Sequence, residues 1–295
     1  MLAVRLSFAY PSAMVRKKVI VIVGPTASGK SSLAVKMALK IGGEVISADS
    51  RQVYKGLDIG TGKITHKEMR GVPHHLLDVA SPKTIFTAHD FIEQGRVTID
   101  DILKRGKVPI ICGGTGFYID ALLGRVELPN VPPNFKLRAQ LEKKSAPQLF
   151  AILQKLDKRR AKYIDKNNPV RLVRAIEIAK KLGKVPPLTK DRPLYNVTWI
   201  GINPGDKILR SKIRNRLLAR MKSGMVREAK NLHERGLSYK RMFQLGLEYR
   251  YLALLLQKKI SKKEMLQQLE NGIWDYSRRQ LRYWKRNLDI RWRAK

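Results

Sequence analysis

One short stretch near the N-terminus constrains the fold of this chain more than any other feature. The run Lys18-Val-Ile-Val-Ile-Val-Gly24 is apolar and β-branched throughout, which is typical of a strand buried on both faces of a parallel sheet. It continues into Gly24-Pro-Thr-Ala-Ser-Gly-Lys-Ser31, a complete P-loop pattern, and then into a predicted helix with apolar residues at Leu33, Met37 and Ile41. Strand, glycine-rich loop and helix in this order predict an α/β core with a phosphate site.

The loop contains the residue types that phosphate binding requires. Its glycines allow backbone N–H groups to turn inward around a diphosphate, and the helix N-terminus adds partial positive charge. Lys30 is expected to reach the terminal phosphates, and the Ser31 hydroxyl is expected to ligate Mg²⁺. We predict that the whole loop takes part in phosphate binding, namely Gly24, Pro25, Thr26, Ala27, Ser28, Gly29, Lys30 and Ser31.

Two further strands are predicted, and one of them ends at an acid. Glu44 to Ala48 leads into Asp49, whereas Val108 to Cys112 leads into Gly113-Gly-Thr-Gly116. The second of these strands lacks the strand-end acid that holds Mg²⁺ in most ATPases and GTPases. Because ligands bind at the carboxyl edge of parallel sheets, Asp49 is expected beside the phosphate loop. Its carboxylate could deprotonate a nucleophile, bind magnesium or cap Ser50.

The rest of the chain divides by texture into an α/β core and a helical insertion. We predict a P-loop NTPase-like parallel sheet flanked by helices, with a small all-helical insertion domain and a helical C-terminal region. The expected divisions are a disordered extension over 1–17 with the true start at Met14, a first core part over 18–127, the insertion over 128–193 and a second core part over 194–295.

Local signals mark several helices and one later strand. Ser145-Ala-Pro-Gln148 is a capping-box pattern, and Asn168 followed by Pro169 indicates a second helix start within the insertion. Tyr195 to Ile202 is predicted to be a strand, and the chain is predicted to be helical from Asp206 to its end. The first of these C-terminal helices should bury one stripe, formed by Leu209, Ile213, Leu217 and Met221.

Charge and cysteine content restrict the class of protein. Sixty Lys and Arg against 24 Asp and Glu give a formal net charge of +36, which favours a polyanionic partner such as nucleic acid over the alternative of solvated, lysine-rich helix faces. A single cysteine, Cys112, excludes a disulfide scaffold and indicates a reducing cytoplasm. No apolar run approaches the roughly 18 residues of a bilayer helix, so no membrane partner is expected.

The ordered motifs together resemble the tRNA dimethylallyltransferase (IPP transferase) family, in a bacterial form without the cysteines of a zinc finger. The resemblance covers roughly residues 18 to 292. The blocks that carry it are Gly24–Ser31, Ser47–Tyr54, Asp58–Lys63, Gly71–Asp78, Gly113–Tyr118, Asn168–Glu177, Leu245–Arg250 and Arg279–Trp284.

This resemblance implies that the loop holds dimethylallyl diphosphate with Mg²⁺, and that adenine N6 attacks the allylic carbon. It implies Asp49 as the general base and Lys30, Thr26 and Arg216 as further catalytic residues, with Arg214 and Arg220 as alternatives to Arg216. The acceptor would be the adenosine next to the anticodon, extruded from the stem-loop of tRNAs that read codons beginning with U.

Further positions match the family's tRNA contacts. The candidates are Asp49, Ser50, Arg51, Gln52, Thr115, Arg138, Arg171 and Arg174. For Arg171 and Arg174 a solvated helix face is the alternative. We expect a cytoplasmic monomer whose partners are tRNA and dimethylallyl diphosphate.

Three other functions share parts of this pattern. An isopentenyltransferase for free adenine nucleotides would use the same loop and base, but would leave the basic insertion without a role. A small-molecule P-loop kinase would explain the loop but not the charge. An RNA-binding protein could use the loop as a nucleotide-gated switch, without catalysis.

Overall fold

The computed structural model describes residues 17–187 and 194–293, which form six strands and thirteen helices. Except for Lys17, the predicted extension and start site lie outside these residues. In chain order the elements are β1 (Lys18–Val23), α1 (Lys30–Ile41), β2 (Gly43–Ala48), α2 (His66–Met69), β3 (His74–His75), α3 (Ala88–Lys104), β4 (Val108–Gly113), α4 (Gly116–Leu122), α5 (Phe135–Leu141), α6 (Ala146–Leu156), α7 (Lys158–Tyr163), α8 (Pro169–Leu182), β5 (Asn196–Ile202), α9 (Asp206–Lys222), α10 (Met225–Glu234), α11 (Tyr239–Leu245), α12 (Leu247–Leu256), α13 (Lys262–Trp284) and β6 (Arg291–Arg293).

The strands form one parallel sheet in the order β3-β2-β4-β1-β5-β6. The first predicted strand lies inside it, between β4 and β5, and its residues alternate between two apolar clusters. Val21 and Val23 pack with Phe91 on one face, whereas Ile22 packs with Ala34 on the other. Burial on both faces explains the uninterrupted apolar run, and the α/β prediction is confirmed.

Helix α1 lies against the sheet mainly through small residues. Its buried residues are Ala34, Val35 and Ala38, whereas Leu33 and Met37 are only partly buried and Ile41 is 39% exposed. Two alanines leave little side-chain bulk between helix and sheet, so the helix that begins at the loop can lie close to the strand that leads into it.

The two edge strands, β3 and β6, were not predicted from the sequence. The two residues of β3 pair with Val45 and Ile46, and the three residues of β6 pair with β5. The prediction that the chain is helical from Asp206 onward is therefore wrong at its end. Strand β6 is only three residues long, and its Trp292 lies over Gly201: a Cβ on Gly201 would lie 2.6 Å from the Trp292 ring.

The C-terminal helices build a second core beside the sheet. Leu209, Ile213 and Leu217 of α9 are buried there, and Met221 is partly buried, so the predicted stripe is confirmed. The residues of α13 in this core are Met265, Leu269 and Ile273. Among residues 17–187 and 194–293, no helix combines the length and apolar character needed to cross a bilayer.

The described chain forms two compact units. Residues 17–124 and 194–293 make up the first, and residues 125–187 make up the second, where the sequence placed an insertion over 128–193. The second unit has its own apolar core, which includes Leu149, Leu153, Leu172 and Ile176. Ser145 and Asn168 are the N-caps of α6 and α8, as their capping patterns predict.

Candidate active site

The P-loop turns sharply between β1 and α1. Gly24 has a φ of +147°, and a Cβ on it would lie 2.4 Å from the carbonyl oxygen of Ile202. Gly29 precedes α1 with a φ of +95°. Only glycine tolerates such backbone positions without strain, which explains both motif glycines.

The loop also contains a buried hydroxyl that no protein group satisfies. Ser28 is fully buried, and its Oγ atom has no hydrogen-bond partner within the described residues. An unpaired buried hydroxyl costs about 1–3 kcal/mol, so a ligand oxygen at this place would relieve the cost. This fits the predicted diphosphate, whose oxygens accept hydrogen bonds.

Lys30 occupies the first turn of α1. Its Nζ atom donates to the Pro25 carbonyl oxygen at 2.6 Å. Burial, together with the charge of Arg216, lowers the pKa of Lys30 to about 8, although Cys112 and Asp49 act in the opposite direction. A lysine whose charge is under-stabilised by its surroundings is suited to receive an anionic ligand.

Asp49 follows β2 and begins a tight turn. Its Oδ1 atom accepts hydrogen bonds from the backbone N–H groups of Arg51, at 2.8 Å, and Gln52, at 3.4 Å. The Ser50 N–H donates instead to Thr115 Oγ1 at 3.1 Å, so the alternative in which Asp49 caps Ser50 is wrong. One carboxylate oxygen therefore fixes the turn, and Oδ2 forms no hydrogen bond within the part of the chain described.

The neighbouring candidates for tRNA contact are partly engaged inside the protein. Arg51 donates through Nη1 to the Ser50 carbonyl oxygen at 3.3 Å. The Thr115 hydroxyl oxygen accepts the hydrogen bond from the Ser50 N–H, and the Thr115 N–H donates to the Ala48 oxygen at 3.2 Å. Thr115 thus holds the turn that carries Asp49.

Three arginines of α9 are candidates for binding the diphosphate, and their contacts within the protein differ. Arg214 pairs with Glu270 at 3.5 Å. Arg220 donates to the Gly60 oxygen at 2.6 Å and pairs with Glu248 at 3.3 Å. Arg216 forms no ion pair with any described residue, which makes it the most available of the three.

The surroundings of Arg216 keep its guanidinium close to the loop Asp58–Lys63. A Cβ on Gly62 would lie 2.8 Å from an Nη atom of Arg216. Desolvation and the neighbouring Arg220 lower the pKa of Arg216, whereas Glu68, Glu248 and Asp49 act in the opposite direction. The charges of Asp49 and Arg216 both act on Lys30, and that of Asp49 acts on Arg216, so these three predicted residues lie near one another.

Two residues of this site were missed from the sequence. Glu228 accepts hydrogen bonds from the backbone N–H groups of residues 58, 59 and 60 and from the Tyr249 hydroxyl, at 2.7 to 3.0 Å. It thereby fixes the loop against which Arg216 lies. Gln280 binds the N–H of Thr26, another predicted catalytic residue, at 2.7 Å. Glu228 has no local sequence signal, and Gln280 lies within the motif Arg279–Trp284 but nothing local assigns it a role, because the partners of both residues lie far away in the chain.

Two of the three predicted arginines of the second unit bind the same carboxylate. Arg138 donates to Glu177 at 3.0 and 2.8 Å, and Arg174 donates to Glu177 and to the Val131 oxygen. Glu177 is 2% exposed; burial would raise its pKa, but the bonds from Arg138, the Asn134 N–H and Arg174 hold it at about 2. Arg138 and Arg174 are thus engaged within the unit, whereas Arg171 is exposed.

The residues present fit a metal ion only together with a ligand. Within residues 17–187 and 194–293, no group of three or more His, Cys, Asp or Glu side chains is placed to hold a metal. The predicted metal ligand Ser31 is exposed at the start of α1. Mg²⁺ prefers oxygen ligands and keeps several waters, so Ser31 and diphosphate oxygens would form a suitable set.

With this geometry in view, comparison with known proteins decides the family. Residues 52–287 match the IPP transferase family. The chain belongs to that family. It is 42% identical over 272 residues to tRNA dimethylallyltransferase 2 of Treponema denticola, which covers 90% of this chain and 91% of that protein.

Solved structures agree with the assignment to the IPP transferases. The tRNA isopentenylpyrophosphate transferase of Bacillus halodurans superposes with a TM-score of 0.72 at 33% identity, covering 95% of this chain and 90% of that one. A eukaryotic dimethylallyltransferase acting on tRNA superposes with a TM-score of 0.78 at 27% identity, covering 94% and 74%. The family resemblance inferred from the motifs is confirmed.

Proposed function

We propose that this IPP transferase moves the dimethylallyl group of dimethylallyl diphosphate to N6 of the adenosine at position 37, 3′-adjacent to the anticodon, in tRNAs that read codons beginning with U. The products are N6-isopentenyladenosine and diphosphate. One observation carries the proposal: Lys30 of the P-loop lies close enough to Asp49 for the carboxylate to raise the pKa of the lysine, and one oxygen of that carboxylate is free of hydrogen bonds from the described residues. The chain that holds this pair matches a tRNA dimethylallyltransferase along most of its length.

The donor end of the reaction belongs to the P-loop. Its backbone N–H groups and the Ser28 hydroxyl bind the diphosphate, and Lys30 exchanges the Pro25 carbonyl oxygen for a phosphate oxygen. Arg216 approaches from the side of Gly62 and adds a second positive charge to the leaving group. Ser31 would hold Mg²⁺, which supplies further positive charge to the diphosphate when bound.

The acceptor end belongs to Asp49. As the bond from N6 to the allylic carbon forms, the bond from that carbon to the diphosphate oxygen breaks, and Asp49 Oδ2 takes the N6 proton. The Oδ1 atom stays bound to the Arg51 and Gln52 N–H groups, which keeps the carboxylate oriented. A positioned base of this kind contributes about 10²- to 10⁴-fold to the rate.

The tRNA is bound by basic surface and by the segment around Asp49. Arg51, Gln52 and Thr115 lie next to Asp49 and would face the extruded adenosine. Exposed cations such as Arg171 would contact the phosphate backbone of the anticodon stem-loop. We propose that the protein works as a monomer in the cytoplasm.

The reaction can be separated from its rivals in one assay. Labelled dimethylallyl diphosphate and γ-labelled ATP are offered separately to the purified protein, with bulk tRNA or with AMP as acceptor. We expect label from the prenyl donor in tRNA, located in N6-isopentenyladenosine by mass spectrometry. Label from γ-ATP in any product would support a kinase, and equal prenylation of AMP would support the free-nucleotide enzyme.

A further inference from the structure

A single buried amide joins the two loops that carry the proposed chemistry. Gln280 lies near the end of α13 and is 6% exposed. Its Oε1 atom accepts the N–H of Thr26 in the P-loop at 2.7 Å, and its Nε2 atom donates to the carbonyl oxygen of Gly114 at 3.0 Å. The oxygen of the Gln280 amide therefore accepts one hydrogen bond and its nitrogen donates another, so both ends of the amide are engaged.

The glycines that follow β4 make this contact possible. A Cβ on Gly114 would lie 2.0 Å from Gln280 Nε2, and a Cβ on Gly116 would lie 2.3 Å from the ring of Tyr283. Gln280 and Tyr283 are three residues apart and share one face of α13. The loop therefore lies directly against this face, and its distance from the P-loop is set by the length of one glutamine side chain.

The same loop leads to Asp49 through Thr115. The Thr115 N–H donates to the Ala48 oxygen at 3.2 Å, and its Oγ1 atom accepts the Ser50 N–H at 3.1 Å. Ala48 and Ser50 are the two neighbours of Asp49. Gln280 is thus bonded directly to the donor-binding loop and, through Gly114 and Thr115, to both sides of the base.

We propose that Gln280 is a positioning residue that sets the separation between the diphosphate-binding loop and Asp49. This inference rests on the proposed roles of the P-loop and Asp49. Gln280 holds both loops by their backbones, so it acts through them rather than on the reacting atoms. The transfer needs N6, the allylic carbon and the leaving diphosphate oxygen in line, with the Asp49 carboxylate within hydrogen-bond reach of N6. A misplacement of about 1 Å costs such a reaction about 100-fold in rate.

The alternative is a glutamine that only satisfies buried backbone groups. In that case its loss would lower stability and leave the turnover of the folded enzyme unchanged. The two interpretations differ in the kinetic constants of folded protein, and three variants separate them. Gln280→Met keeps the length and loses both bonds, Gln280→Glu keeps an acceptor for Thr26 and loses the donor to Gly114, and Gln268→Met changes an exposed glutamine of the same helix.

Single-turnover rates with saturating tRNA and dimethylallyl diphosphate are measured for each variant. We expect Gln280→Met to lower the rate about 100-fold, with the KM for tRNA within about threefold of wild type, because the basic surface is untouched. Gln280→Glu should lower the rate in the same direction, and Gln268→Met should match wild type. A rate for folded Gln280→Met within threefold of the control overturns the proposal, as does a loss that merely follows the fraction unfolded.

Amide exchange gives a readout that does not need turnover. The Thr26 N–H should be protected in wild type and in Gln280→Glu, and should exchange at least tenfold faster in Gln280→Met, while the buried amides of β1 stay protected. An unprotected Thr26 N–H in wild type would refute the contact. Should wild type fail to prenylate tRNA, the proposed function fails, whereas the exchange rates and the affinity for inorganic diphosphate still decide the role of Gln280 in shaping the loop.

Discussion

The P-loop site and the arginine cluster of the second unit differ in whether their positive charges are paired with carboxylates. In the first unit, Lys30 and Arg216 have no ion-pair partner among the described residues, and burial lowers the pKa of both. In the second unit, Arg138 and Arg174 surround the buried Glu177. A charge left without a protein partner is available to a substrate, whereas a paired charge stabilises the fold. The number of arginines in a segment therefore says little about how many can reach a ligand.

Among substitutions that test this comparison, the largest expected effect on turnover is at Asp49. Asp49→Asn keeps an oxygen for the Arg51 and Gln52 N–H groups but removes the base, so kcat should fall about 1,000-fold with tRNA affinity within a few-fold of wild type. Single-turnover kinetics and filter binding measure the two quantities. Asp275→Asn, an exposed acid of α13, is the matched control. Unchanged turnover in Asp49→Asn would refute the assignment of the base.

The next largest effect distinguishes the arginines of α9. Arg216→Gln should lower kcat/KM for dimethylallyl diphosphate about 100-fold, since a charge-assisted hydrogen bond contributes roughly 1.5–3 kcal/mol. Arg214→Gln, which loses only an exposed pair with Glu270, should stay within about twofold. Steady-state kinetics with varied donor measure both. Equal losses in the two variants would remove Arg216 from the site.

The second unit should respond in stability rather than in chemistry. Arg138→Gln leaves the buried Glu177 with fewer partners, and we expect it to lower the free energy of unfolding by about 2 kcal/mol. Arg171→Gln should change stability by less than about 0.5 kcal/mol and instead reduce the salt dependence of tRNA binding by about one ion. Denaturant unfolding and salt titrations measure these effects. The reverse pattern would make Arg138 a tRNA contact.

This cluster also predicts a dependence on pH. The folded pKa of Glu177 is about 2, below its usual 4.5, so its contribution to stability is complete above pH 4.5 and is lost as the pH falls toward 2. Arg138→Gln should flatten this part of the stability curve. A curve that keeps its full slope in the variant would mean that other carboxylates dominate acid unfolding.

The smallest effect concerns Lys30 before the donor binds. Its pKa of about 8 means that it loses its proton as the pH rises through 8, and a bound diphosphate restores the charge. Donor affinity should therefore fall about fivefold from pH 8 to pH 9, and the advantage of wild type over Lys30→Met should shrink over the same range. Calorimetric titration without tRNA measures it. A constant advantage up to pH 9.5 would contradict this pKa.

The parts of the fold that could be predicted from sequence are those specified by local patterns. The β-branched run before Gly24, the capping residues Ser145 and Asn168 and the stripe beginning at Leu209 each need only their neighbours in the chain. The apolar residues singled out in α1 were the bulky ones, whereas the residues that the helix buries most deeply are Ala34, Val35 and Ala38.

The parts that could not be predicted depend on contacts between distant segments. Strands β3 and β6 exist because a longer strand offers them partners, not because of their own composition. Gln280 and Glu228 act on backbone groups more than 160 residues away in the chain, and nothing in their own neighbourhoods indicates it. In the same way, the pairing of Arg138 with Glu177 is fixed only once α5 lies against α8.

A crystal structure of the protein with an anticodon stem-loop and an unreactive thiolo analogue of dimethylallyl diphosphate tests the central claim most directly. We predict the diphosphate inside the loop Gly24–Ser31, with Lys30 Nζ moved from the Pro25 oxygen to a phosphate oxygen, and Asp49 Oδ2 within about 3.2 Å of adenine N6. A diphosphate bound outside the loop, or an Asp49 carboxylate turned away from N6, would contradict it.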